Sequence, residues 1–107
     1  MKKVEKVTKS ELIKRLTKSC GNVYHKDISN VVDIVLEEIA LALESGQRVE
    51  LRGFGAFSVR QRKARKARNP KTNEIVQLGE RSTPYFRAGK EMRERVNNAM
   101  PAEQNSN

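Results

Sequence analysis

Between Arg60 and Lys71 the chain carries seven basic side chains, no acid and no large apolar residue. A segment of this kind cannot enter a core, because unpaired buried charge costs far more than backbone pairing returns. Yet strand-like alternation precedes it at Phe57 and Val59, and Ile75, Val76 and Leu78 follow it. Nothing in the pattern breaks a strand before Asn69-Pro70. "NPKTN" then supplies a turn, in which Pro70 presets φ and Asn73 tolerates a left-handed conformation. The simplest arrangement is a β-hairpin over about residues 60–77, its base in a folded body and its distal half in solvent. The bland alternative is a solvated basic tail, but a tail lacks flanking strands and a central turn.

Two helices are expected ahead of this arm. Thr8 and Glu11 have capping-box spacing, Leu12, Ile13 and Leu16 recur at helical spacing, and Gly21 closes the segment. A longer helix runs from about Tyr24 to Ser45. On a helical wheel Ile28, Val31, Val32, Val35, Leu36, Ile39, Ala42 and Leu43 fill a sector of about 140°. Ile34 and Leu41 lie opposite. A short first helix cannot cover so broad a stripe. Either a sheet covers it, or the same helix of a second chain does; small domains often need oligomerisation for stability, which favours the second reading.

After Gly46 the period becomes two, with Val49 and Leu51 on one face and Arg48, Glu50 and Arg52 on the other. In "GFGAF", Gly53 and Gly55 permit a sharp turn into the next strand. "TPYF" returns from the arm, and "GKEMRERVNNAM" reads as a third helix with Met92 and Val96 facing inward. The expected layout is α+β: two helices, an antiparallel sheet with a protruding arm, and a short terminal helix. Residues 8–98 form one domain, residues 1–7 a basic extension, and residues 99–107 a disordered tail.

The net charge is +9, and its placement says more than its total. Residues 27–51 hold six acids against Arg48 alone, whereas residues 52–71 hold eight cations and no acid. One face is neutralised and another is built for a polyanion. Cys20 is the only cysteine and His25 the only histidine, so neither a disulfide nor a Cys/His metal site has support. Cys20 is expected to be a small buried hydrophobe. The basic start "MKKVEKVTKS" has no apolar stretch after it and does not read as a signal peptide. A cytoplasmic protein without cofactor is expected.

Cations on a projecting ribbon suit duplex phosphates, each contact releasing a counterion. Pro70 at the tip reads either as turn chemistry or as a rigid wedge that unstacks two base pairs and kinks the duplex.

"GFGAF", "RNPKTNEIV" and "TPYFRAGKEMRERV" together resemble the bacterial HU and integration host factor family, over about residues 7–98. HU and integration host factor are established minor-groove architectural binders. The resemblance implies an intertwined homodimer or heterodimer in the nucleoid, which extends two arms around the minor groove of double-stranded DNA and intercalates its tip prolines. It would compact DNA and assist transcription, replication or recombination complexes. It makes Pro70 the intercalating residue, with Arg68, Asn69 and Lys71 at the tip and Arg60, Arg62, Lys63, Arg65 and Lys66 on the backbone. Lys90 would meet phosphate at the third helix's N-terminus. The dimer core would comprise Ile28, Val32, Val35, Ile39, Leu43, Phe54, Phe57 and Phe86.

Glu50 and Arg52 resemble the integration host factor β-subunit pattern, an arginine in the minor groove steadied by a glutamate. An ordinary surface pair explains them equally well. The tail "RVNNAMPAEQ" is more similar to an α-subunit, so HU-like and site-selective behaviour both stay open. Ala67 and Asn73 stand where the family usually has glycine, which implies a stiffer tip. Ala88 stands where it usually has a capping serine, which implies a frayed third helix.

A structural RNA-binding protein with a basic hairpin is the alternative from another class. A nuclease would need clustered carboxylates on metal or a histidine base, and the arm has neither; no enzymatic activity is expected.

Overall fold

The computed structural model describes residues 5–100. The chain divides into two units, residues 1–40 and 41–107. The elements run α1 (Lys9–Cys20), α2 (His25–Glu44), β1 (Val49–Leu51), β2 (Gly55–Arg62), β3 (Arg65–Arg68), β4 (Ile75–Leu78), β5 (Arg81–Ala88) and α3 (Lys90–Ala99). The expected α+β order of helices and antiparallel strands is present.

In the first unit, Thr8 caps α1 by accepting the Glu11 N–H on its hydroxyl at 3.3 Å. The Glu11 carboxylate reaches forward to Arg15 at 3.6 Å, so the box has one of its two bonds. Lys9 ties α1 to α2 through Asp33 at 2.7 Å. Cys20 closes α1 and is exposed. The expectation of a buried thiol fails because the last turn of α1 leaves it in solvent. Ile13 and Ile28 are the only buried apolar side chains among the described residues, at 4% and 7% exposure. Val35, in the middle of the expected core stripe, is 50% exposed in the single chain.

In the second unit, β1, β2 and β5 form one antiparallel sheet in the order β1-β2-β5, and β3 pairs with β4 in a second. Gly53 turns the chain between β1 and β2 at φ 84°, a left-handed value that disfavours any side chain. Gly55 serves a different purpose. A Cβ there would lie 2.6 Å from the Arg87 carbonyl oxygen and 2.5 Å from the Phe86 ring. Its neighbour Phe86 bridges Phe54 and Phe57, with ring centroids 5.5 and 4.8 Å apart. Pro84 is accommodated because β5 is an edge strand.

The third helix is capped by Gly89, whose extended backbone offers no side-chain bond. Ala88 is the last residue of β5 and not the cap, so its lack of a hydroxyl leaves the helix start unaffected. Gly89 N–H instead donates to the Phe54 carbonyl at 2.9 Å, fastening the helix start to the β1–β2 turn. Met92 is half-buried, but Val96 is exposed, so only one of the two residues expected to face inward does so in the single chain. The helix reaches Ala99, one residue past the expected tail boundary. Residues 101–107 of the tail and residues 1–4 of the basic extension lie outside the described residues.

Candidate nucleic-acid interface

The arm is one hairpin with an interrupted ladder. In β2 and β5, Gly55 pairs with Ala88 and Arg62 with Arg81; three residues further on, Arg65 pairs with Leu78. The register therefore carries through unchanged, while Lys63-Ala64 and Gly79-Glu80 fall out of strand geometry. The expectation of an unbroken strand to Asn69 is corrected at this joint. Gly79 is a poor strand former without a side chain to pack.

Register sorts the cations by face. In the three-stranded sheet, Arg60 and Arg62 alternate with Val59 and Gln61, and their partners across β5 are Thr83 and Arg81. Tyr85 and Arg87 continue this face, while Phe57 and Phe86 share the other. Arg62 and Arg81 oppose each other directly, a like-charge pair that is destabilising without a counterion. Sequence reasoning does not single out Arg81 and Arg87. Their alternation with Thr83 and Tyr85 is visible in the chain, but only the register shows them on the face of Arg60 and Arg62. In the distal sheet, Lys66 and Arg68 share one face and Arg65 lies on the other. Lys63 lies in the joint. All of these cations are exposed.

The tip is built from its own hydrogen bonds. Asn69 N–H donates to the Glu74 carbonyl at 2.8 Å, and Asn73 N–H to the Asn69 carbonyl at 2.7 Å. The Asn69 side chain accepts from Lys71 N–H at 2.9 Å, and the Thr72 hydroxyl from Glu74 N–H at 3.3 Å. Asn73 takes φ 62°, the left-handed conformation expected of it. Arg68 Nη1 donates to the Asn73 carbonyl at 2.8 Å. Pro70 stands exposed on this closed loop.

A hollow of about 390 Å³ lies among β1, the following turn and the start of α3, lined in part by Arg48, Glu50, Arg52, Arg87, Lys90 and Arg93. Lys90 opens α3, where the unpaired N–H groups of the first turn favour anions. Glu50 pairs with Arg48 at 2.8 Å. Arg52 lies beyond the end of β1, in the turn, and the Glu50 carboxylate pairs with Arg48. Among the described residues, no group of three or more His, Cys, Asp or Glu side chains is placed to hold a metal.

A basic hairpin whose pinned tip presents a proline, rising from a sheet with an arginine-rich face, is suited to hold a polyanion. Residues 7–97 match the family model described as bacterial DNA-binding protein. The chain belongs to that family, which contains HU and integration host factor, and whose members are non-enzymatic, architectural DNA-binding proteins. It is 54% identical over 90 residues to integration host factor subunit beta of Pasteurella multocida (strain Pm70), covering 84% of this chain and 96% of that one. Its fold is similar to HU in an Anabaena HU–DNA cocrystal structure, with a TM-score of 0.76, 43% identity, and coverage of 83% and 96% of the two chains. A mutant of HU from Thermotoga maritima gives a TM-score of 0.62 at 31% identity, covering 84% and 99%. No helix among the described residues is long and apolar enough to cross a membrane.

Proposed function

We propose that the protein acts as a dimer that clasps duplex DNA with two arms, enters the minor groove and bends the duplex by inserting Pro70 between base pairs. The observation that carries this reading is the exposed proline on a loop closed by Asn69, Asn73 and Arg68, at the end of a basic ribbon. A wedge must be rigid to unstack bases at a cost of a few kcal/mol. Pro70 has no side-chain entropy to lose, and the bonds around it hold the loop.

Arg60, Arg62, Lys63, Arg65, Lys66 and Lys71 neutralise phosphates along the arm, joined at its root by Arg81 and Arg87. Arg68 and Asn69 shape the tip. Lys90, with Arg52 and Arg93 beside it, takes phosphate at the body. Arg48–Glu50 then holds the acid away from the DNA path, and Arg52 is free to enter a groove.

The thinness of the single-chain core supports the dimer. Val35, Phe54 and Phe86 are exposed at 50%, 43% and 39%, which is costly for side chains of this size unless a second chain covers them. Ile28, Val32, Ile39, Leu43 and Phe57 complete the shared core. The partner is an identical or related subunit, and the nucleoid is the site of action. The RNA-binding alternative has no support from the relatives.

Ligase-mediated cyclisation of fragments shorter than the persistence length of about 150 bp tests the bend. The protein should raise circle yield many-fold on such fragments. Binding that leaves circle yield unchanged would reduce it to a basic coat.

A further inference from the structure

We infer that Tyr85 is a positioning residue for the phosphate contact made by Arg60, a role that rests on reading Arg60 as a phosphate ligand. The guanidinium carbon of Arg60 lies 3.5 Å from the centroid of the Tyr85 ring. The two residues are diagonal neighbours on one sheet face, since Arg60 pairs with Thr83 and Ser58 with Tyr85. Contact at this distance fixes the guanidinium over the ring and leaves the N–H groups at its rim available.

Other arginines on this part of the chain are either held by polar partners or, like Arg62, Arg65, Arg81 and Arg87, show no side-chain partner among the described residues. Arg48 is engaged by Glu50, and Arg68 by the Asn73 carbonyl. Among the described residues, the Arg60 side chain has no hydrogen bond or ion pair, and its guanidinium lies against the Tyr85 ring. An arginine normally loses considerable rotamer freedom when it grips phosphate. Tyr85 removes part of that loss in advance, at the root of the arm. Arg62 and Arg81 face each other next in register, so an anion arriving at Arg60 also relieves their repulsion. The ring thus orients the first of three adjacent cations toward one stretch of backbone.

The test is salt-dependent binding of a random-sequence duplex by the full chain carrying Arg60→Gln, Tyr85→Leu, both, or Tyr85→Phe. Arg60→Gln should weaken binding and flatten log K against log salt by about 0.9 for each phosphate left unneutralised. Tyr85→Leu changes no charge, yet should weaken binding about three- to tenfold and flatten the slope in the same direction. The double variant should match Arg60→Gln, and Tyr85→Phe should match wild type. If Arg60→Gln alone has no effect, the phosphate role of Arg60 fails. If Arg60→Gln weakens binding while Tyr85→Leu keeps full affinity and slope, or adds its full effect in the double variant, the platform role fails by itself. Tyr85→Trp guards against a folding defect in the leucine variant: a larger ring should preserve affinity and slope, and a weaker, flatter response would overturn the inference.

Discussion

Arg68 and Asn73 close the tip of the arm across its turn, the arginine Nη1 donating to the asparagine carbonyl at 2.8 Å while Asn73 holds φ 62°. Only a residue at ease in the left-handed region can place its carbonyl there. Asparagine meets that need where glycine would be freer.

Asn73→Val should therefore open the loop. A β-branched residue at this φ is strained by about 1–2 kcal/mol, so amide exchange at Asn69 and Asn73 should accelerate roughly tenfold. Asn73→Gly should leave exchange within a few-fold of wild type. Equal protection in the valine variant would show that the tip is not held by this conformation.

Gly55→Ala should destabilise the protein by about 1–3 kcal/mol in urea, because the new methyl meets the Arg87 carbonyl and not only a movable ring. Gly79 has open space around it and an ordinary φ, so Gly79→Ala should have little effect on the same midpoint. Equal midpoints for the two variants would contradict the close approach of β2 and β5.

The contrast between these glycines shows where the sequence is legible. Hydrophobic period and punctuation place α1, α2, the sheet strands, the arm and its turn, because each is a local pattern. The joint at Lys63-Ala64 is not legible, since it depends on the facing Gly79-Glu80 as much as on its own residues. Arg81 and Arg87 stay hidden for the same reason: their face is set by register with β2. Glu50 pairs with Arg48, a choice the sequence does not make, since Arg48 and Arg52 both lie two residues from it and just outside β1. Exposure of Cys20 likewise depends on what packs near the end of α1, which residue type does not specify.

Val35→Asp should abolish assembly. In the proposed dimer it places an unpaired carboxylate in a shared apolar core, at a cost of several kcal/mol. Sedimentation and far-UV circular dichroism should show loss of the dimer together with loss of structure. A well-folded monomer would contradict the shared core.

Arg65→Glu should weaken binding to every duplex sequence and flatten the salt dependence by about 0.9 per phosphate left unneutralised. Titrations on several unrelated duplexes at several salt concentrations check both. A weakening confined to one sequence would make Arg65 a base reader instead.

The most direct test of the account is end-to-end energy transfer on a random-sequence duplex of about 40 bp, short enough to be nearly straight when free. Saturating wild-type protein should raise transfer strongly, and Pro70→Ala should bind with most of its affinity yet give a much smaller rise. Equal transfer by the two proteins at saturation would contradict the proline wedge.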